Sequence, residues 1–155
     1  MSAQMKSDSA VDSEFLAFRI GDQEYCVDIM QVREIRGWTP TTTLPHAPSF
    51  VRGVINLRGS VLPIVDLADR LGLPSARATK RHVVIVVQAF HQTIGLLVDA
   101  VSDILTEPRE SIQPTPDVAS EVVRDFVQGV LAIDNRLINV IALDNLAPAA
   151  LQESA

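Results

Sequence analysis

FVRGVINLRGSVLPIVDL, residues 50 to 67, occurs twice in this 155-residue chain: FVQGVLAIDNRLINVIAL, residues 126 to 143, aligns with it without a gap, each position 76 residues after its mate. Phe50, Val51, Gly53, Val54 and Leu67 recur as Phe126, Val127, Gly129, Val130 and Leu143. In the first copy, Gly53–Leu57 and Val61–Asp66 flank Arg58-Gly59-Ser60, and Gly59 is free to take positive φ. In the second, Phe126–Ile133 and Leu137–Leu143 flank Asp134-Asn135-Arg136. Apolar, β-branched runs on either side of a short polar turn read as β-hairpins.

Outward from these hairpins the same chemistry continues. Glu14–Ile20 places Leu16, Phe18 and Ile20 on one face, and GDQ turns the chain into Glu24–Val27. His82–Gln88 is nearly all apolar and β-branched, as in a strand buried on both faces, and Gln92–Val98 pairs back onto it. A weaker echo links Val27-Asp28, Val32 and Ile35 to Val98-Asp99, Val101 and Ile104, about 70 residues on. Helical spacing is confined to Asp28–Ile35, with Asp28 as N-cap, to Leu67–Leu71 and to Asp144–Leu151. Pro108, Pro114 and Pro116 mark an extended loop outside any sheet.

A repeat of roughly 70–75 residues is longer than solenoid periods and indicates a duplicated small unit. The fold class is mostly all-β: two units of about five short strands that share an apolar core, because a unit this small is marginal alone. Lobe 1 is expected over 14–78 and lobe 2 over 79–149 of a single domain, with strands able to trade between such similar copies. Residues 1–13 are short and polar and read as a disordered tail.

Composition excludes several functions. Net charge is −6, with 19 acids against 13 bases, and aromatic content is 5%; both argue against a nucleic-acid-binding barrel. The basic cluster Arg77, Lys80, Arg81 and His82 reads as a solvated linker. There is no apolar run of membrane-spanning length, and the start of the chain lacks the apolar stretch of a secretory signal. The single cysteine, Cys26, cannot form an internal disulfide and fits a reducing, cytoplasmic setting.

Catalytic patterns are missing as well. His46, His82 and His91 have no neighbours at zinc-ligand spacing, no Ser sits in GxSxG, and the seven glycines form no phosphate cradle. Asp66, Asp69, Asp99 and Asp103 raise the question of a metal or a shared proton, yet Asp66 and Asp99 follow apolar runs where turns and caps use Asp. No metal and no cofactor are expected. What remains suits recognition. Glu34 follows the Ile29/Val32 stripe, which reads as core or as interface. Arg58 at a hairpin tip reads as a solvated turn residue, or as a guanidinium that meets a carboxylate or a partner helix.

At GVINLRGSVLPIVDL the chain resembles the CheW family of bacterial chemotaxis coupling proteins. The likeness extends through EFLAFRIGDQEYCVDIMQVREIRGW and TIGLLVDAVSDILTEPRESIQPTP, from about Glu14 to about Leu146. The resemblance implies two SH3-like five-stranded barrels around a shared core. It also implies a non-enzymatic scaffold joining the cytoplasmic tip of methyl-accepting chemoreceptors to the histidine kinase CheA, in membrane-associated arrays where copies can alternate in rings. By the resemblance, Ile29, Val32, Glu34, Arg58, Val101 and Ile104 meet the receptor's helical hairpin, and the Glu34–Arg58 pairing holds the guanidinium. The kinase or ring face falls at Gln113, Asp117 and Val118, with Gln113 and Val118 standing where the best-known members carry a basic and an aromatic residue. Gly53 and Gly59 are assigned to turns.

Overall fold

The computed structural model describes residues 12–74, 79, 81–89, 91–115 and 121–146. Ten strands follow in chain order: β1 (Asp12–Ile20), β2 (Gln23–Asp28), β3 (Val32–Gly37), β4 (Val51–Leu57), β5 (Ser60–Asp66), β6 (Val83–Ala89), β7 (Gln92–Val98), β8 (Ala100–Pro108), β9 (Val127–Ile133) and β10 (Arg136–Ile141). The helical pieces are short: Ile29–Gln31, Leu67–Arg70, Arg109–Ser111, Glu121–Phe126 and Leu143–Leu146.

The strands form two five-stranded sheets, ordered β8-β1-β2-β10-β9 and β3-β6-β7-β5-β4. These are one order with the copies interchanged. Each sheet takes its opening hairpin (β1–β2 or β6–β7) from one copy and its other three strands from the other. The junction is parallel in both, β2 with β10 and β5 with β7. A boundary at 78/79 therefore separates the repeats but not the sheets: β3–β7 supply one lobe, whereas β1, β2 and β8–β10 supply the other. We refer to them as the β3/β6 lobe and the β1/β8 lobe.

The duplication extends to irregularities. Register slips between Val51 and Gly53 against β5, and between Val127 and Gly129 against β10, leaving Arg52 and Gln128 as the extra residues of mated β-bulges. Thr42, beyond β3, bridges to Val54 on the opposite edge strand, and Gln113, beyond β8, bridges to Val130. Each sheet thus curls until the segment leaving one edge bonds to the other.

Period-two alternation explains where the apolar groups go. Phe15 and Ala17 of β1 face the interior of their own lobe, with Cys26, Leu105, Leu131, Ile138 and Val140. Leu16, Phe18 and Ile20 point the other way, into a core shared with Ile85, Val87 and Ala89 of β6. Val84 and Val86 fill the second lobe with Leu62, Ile64 and Leu97. Where the lobes meet, the Arg70 guanidinium lies between Phe50 and Phe126, 4.2 and 4.3 Å from the ring centroids. The two rings are repeat mates, so one cation–π contact is made to each copy.

Four sequence expectations need correction. β1 begins at Asp12, so Asp12 and Ser13, placed in the tail, instead pair with Pro108 and Glu107. The Asp28–Ile35 helix is a single 3-10 turn: Asp28 does cap it, accepting from Met30 N–H, but the chain then enters β3. The β-branched Val32 and Ile35 lose little there and gain pairing with β6. Pro108 closes edge strand β8, where a missing N–H costs nothing. Gly53 lies inside β4 rather than in a turn. Of the remaining helical expectations, Leu67–Leu71 appears as Leu67–Arg70, and 147–151 lie outside the described residues.

Candidate functional site

Arg58 and Gly59 occupy a two-residue turn with φ of +51° and +85°, between Leu57 and its partner Ser60. Positive φ at both centres matches the twist of the flanking strands. Gly59 N–H donates to the Asn56 side chain, 3.0 Å away. From this tip the Arg58 side chain, 71% exposed, donates to Glu34 on β3, the strand at the far edge of the same sheet. Arg36 Nη1 donates to the other carboxylate oxygen at 2.9 Å. The two guanidinia, Arg58 foremost, hold the Glu34 carboxyl below the usual glutamate range.

Beside this pair, Ile29 and Val32 are half-buried against the shared core, and Val101 packs onto it from β8. Ile104, on the same strand, is 57% exposed. Glu34 and Arg58 thus touch, and Ile29, Val32 and Val101 converge on one core. Gln113 is exposed, and its backbone exchanges two hydrogen bonds of 2.8 Å with Val130. Asp117 and Val118 lie outside the described residues.

The sequence reading omits Arg36 and an ion cluster on the other lobe. Arg136, at the start of β10, donates to both oxygens of Glu24 at 2.9 and 2.7 Å and to Asp103 at 3.2 and 3.3 Å. The bonds to Arg136 hold the Glu24 carboxyl below its ordinary range. The repeat carries the missing signal, since Asp103 stands on β8 where Glu34 stands on β3.

Asp66 and Asp99, the acids at the ends of apolar runs, have structural partners. Asp66 takes Nε and Nη2 of Arg52 at 2.9 and 2.7 Å and accepts from Asp69 N–H at the start of Leu67–Arg70. Its repeat mate is Ala142, and that of Arg52 is Gln128, so both members of the pair change together. Asp99 accepts from Gly21 N–H at 2.7 Å and lies 3.4 Å from His82 Nε2. His82 Nδ1 accepts from Thr79 N–H, which assigns the ring proton to Nε2. Asp66, Asp99 and His82 border an open cavity of about 400 Å³ with Ile20 and Leu97. Among the described residues no three His, Cys, Asp or Glu are placed to hold a metal ion. Cys26 is buried, and desolvation pushes its thiol up to about 12. No helix among the described residues is long and apolar enough to cross a membrane.

Two reciprocally exchanged sheets, one of them carrying an exposed hairpin-tip arginine paired to an edge-strand carboxylate, define the architecture. Residues 14–150 match the CheW-like domain, and the chain belongs to the CheW family. It is 57% identical over 155 residues to the probable chemotaxis protein CheW of Rhizobium etli, with all of both chains covered. To the chemotaxis protein CheW of Rhizobium meliloti it is 60% identical over 142 residues, 92% of each chain. The crystal structure of the scaffolding protein TtCheW from Thermoanaerobacter tengcongensis superposes with a TM-score of 0.79 at 32% identity, over 86% of this chain and 91% of that one. The chain is a chemotaxis scaffold and not an enzyme.

Proposed function

We propose that this chain couples methyl-accepting chemoreceptors to the histidine kinase CheA and so sets kinase activity. The cytoplasmic hairpin tip of the receptor docks along Ile29, Val32, Glu34 and Arg58, with Val101 and Ile104 contributed by the β1/β8 lobe. Apolar side chains supply most of the affinity and the rim charges set the register of the helices. The regulatory domain of CheA, or another copy of this scaffold, meets Gln113, Asp117 and Val118. The protein works in the cytoplasm, recruited to membrane-associated receptor arrays without inserting in the bilayer.

The observation that carries this reading is the Glu34–Arg58 ion pair. It spans the lobe edge to edge, and its arginine is exposed yet oriented. An exposed pair adds little to stability, so its value lies in presenting the guanidinium. The test is co-purification at low salt with a soluble receptor fragment and with CheA. Binding to both is expected, together with raised kinase activity in the ternary mixture. Arg58→Glu is expected to weaken receptor binding about ten-fold or more, as for a charge reversed beside a complementary group. If neither partner is retained, the coupling role is lost.

A further inference from the structure

The internal two-fold gives the Glu34–Arg58 pair a mate of opposite composition. A step of 69 residues from β3 to β8 takes Val32 to Val101, Glu34 to Asp103 and Ile35 to Ile104. The β4–β5 hairpin corresponds in the same way to β9–β10. In each lobe an edge-strand carboxylate meets an arginine from that hairpin: Glu34 meets Arg58, and Asp103 meets Arg136. On the β3/β6 rim two guanidinia, Arg36 and Arg58, clasp one carboxylate. On the β1/β8 rim two carboxylates, Glu24 and Asp103, share one guanidinium. Arg33 adds an exposed cation to the first rim and Arg19, opposite Glu24 in register, one to the second, so the β3/β6 rim stays the more positive.

Two antiparallel helices are related by a two-fold axis normal to their common plane. A docking surface with a matching internal two-fold would accept such a hairpin in either of two directions. Unequal rims remove that degeneracy, because like charges juxtaposed in the wrong direction are penalised. We infer that the inverted Arg36–Glu34–Arg58 and Glu24–Arg136–Asp103 clusters set the direction of a bound helical hairpin, whose more acidic arm crosses the β3/β6 rim and whose more basic arm crosses the β1/β8 rim. The inference rests on the receptor reading above and adds to it a polarity and a role for Asp103 and Arg136.

The test is disulfide cross-linking from a thiol placed on β8 by Ser102→Cys, an exposed position; Cys26 is buried and does not compete. The probe is a soluble chemoreceptor fragment in two versions, with a single cysteine on one arm of its hairpin or on the other. The expected result is preferential cross-linking to the more basic arm by roughly five-fold, the ratio that a rim ion-pair difference supports. Arg36→Glu combined with Asp103→Lys exchanges the rims while leaving Arg58 on Glu34 and Arg136 on Glu24, and it is expected to reverse the preference. Asp103→Asn alone, which keeps Arg136 on Glu24, should narrow it. Equal yields from the two arms in the parent, an unchanged preference in the exchanged variant, or loss of binding in that variant alone overturns the inference. Failure of the parent to bind either version overturns the receptor reading itself, and the polarity with it.

Discussion

Arg58 holds a backbone conformation that suits its residue type poorly. At φ +51° an L-residue with a long side chain pays roughly 1–2 kcal/mol that glycine avoids. In the mated hairpin the two turn positions are Asp134 and Asn135, at +46° and +67°, and these types adopt that region readily. Strain retained at one tip and relieved at its mate supports the receptor contact proposed for Arg58. Arg58→Asn should therefore keep or slightly raise the urea midpoint while binding to the receptor fragment falls about ten-fold. Lost stability with intact binding would assign Arg58 to the fold alone. The same variant reports on Glu34. A carboxyl whose folded pKa is depressed contributes stability above its unfolded pKa and loses it as pH falls through the lower folded value. Since the depression comes first from Arg58 and then from Arg36, the NMR titration midpoint of Glu34 should rise in Arg58→Asn and stay partly depressed. Cys26, with its thiol near 12, should resist thiol reagents at neutral pH until denaturant exposes it.

Among the elements, the glycines of the bulged strands are under the tightest constraint. A Cβ on Gly53, at φ +147°, would lie 2.4 Å from the Thr42 carbonyl oxygen; one on Gly129 would lie 2.5 Å from that of Gln113. Both obstacles are backbone atoms of the segments that bridge the sheet edges, so neither can step aside. Gly53→Ala and Gly129→Ala should each cost about 1–3 kcal/mol in chemical denaturation. Gly59→Ala, at φ +85° with open space around it, should cost only the backbone strain, about 1 kcal/mol. Equal losses at Gly53 and Gly59 would mean that edge closure is unimportant. The inner strands are legible because they are buried on both faces, as in His82–Gln88 and Phe15–Phe18. β3 and β8 are not. They are edge strands, Arg33, Ile35 and Ile104 are exposed, and in VREIRG the spacing of Val32 and Ile35 fits a helix as well as a strand. Only pairing with β6 and β1 decides between the two.

At the scale of the whole molecule, the duplication is visible in the sequence while the exchange is not. Matching 50–67 with 126–143 counts the copies, but which hairpin joins which three strands depends on contacts between distant segments. The site divides along the same line. Glu34 and Arg58 stand out by position, one after an apolar stripe and one at a turn, whereas Arg136 finds Asp103 33 residues away and Glu24 112 residues away. Because each sheet needs strands from both repeats, neither repeat can complete a sheet alone. A fragment of residues 1–78 would hold β1 and β2 without β8–β10, and β3–β5 without β6 and β7. It would expose Leu16, Phe18, Val65 and Leu67, all buried in the shared core. Fragments 1–78 and 79–155 are therefore expected to be unfolded or self-associated when separate, and to regain the β-sheet circular dichroism of the whole chain when mixed one to one. Self-association has a defined form, since a second copy of one repeat can supply the strands that the other repeat normally supplies. A repeat that folded alone as a monomer, with cooperative unfolding, would show that the exchange is dispensable. It would also remove the reason for Arg70 to be held between Phe50 of one repeat and Phe126 of the other.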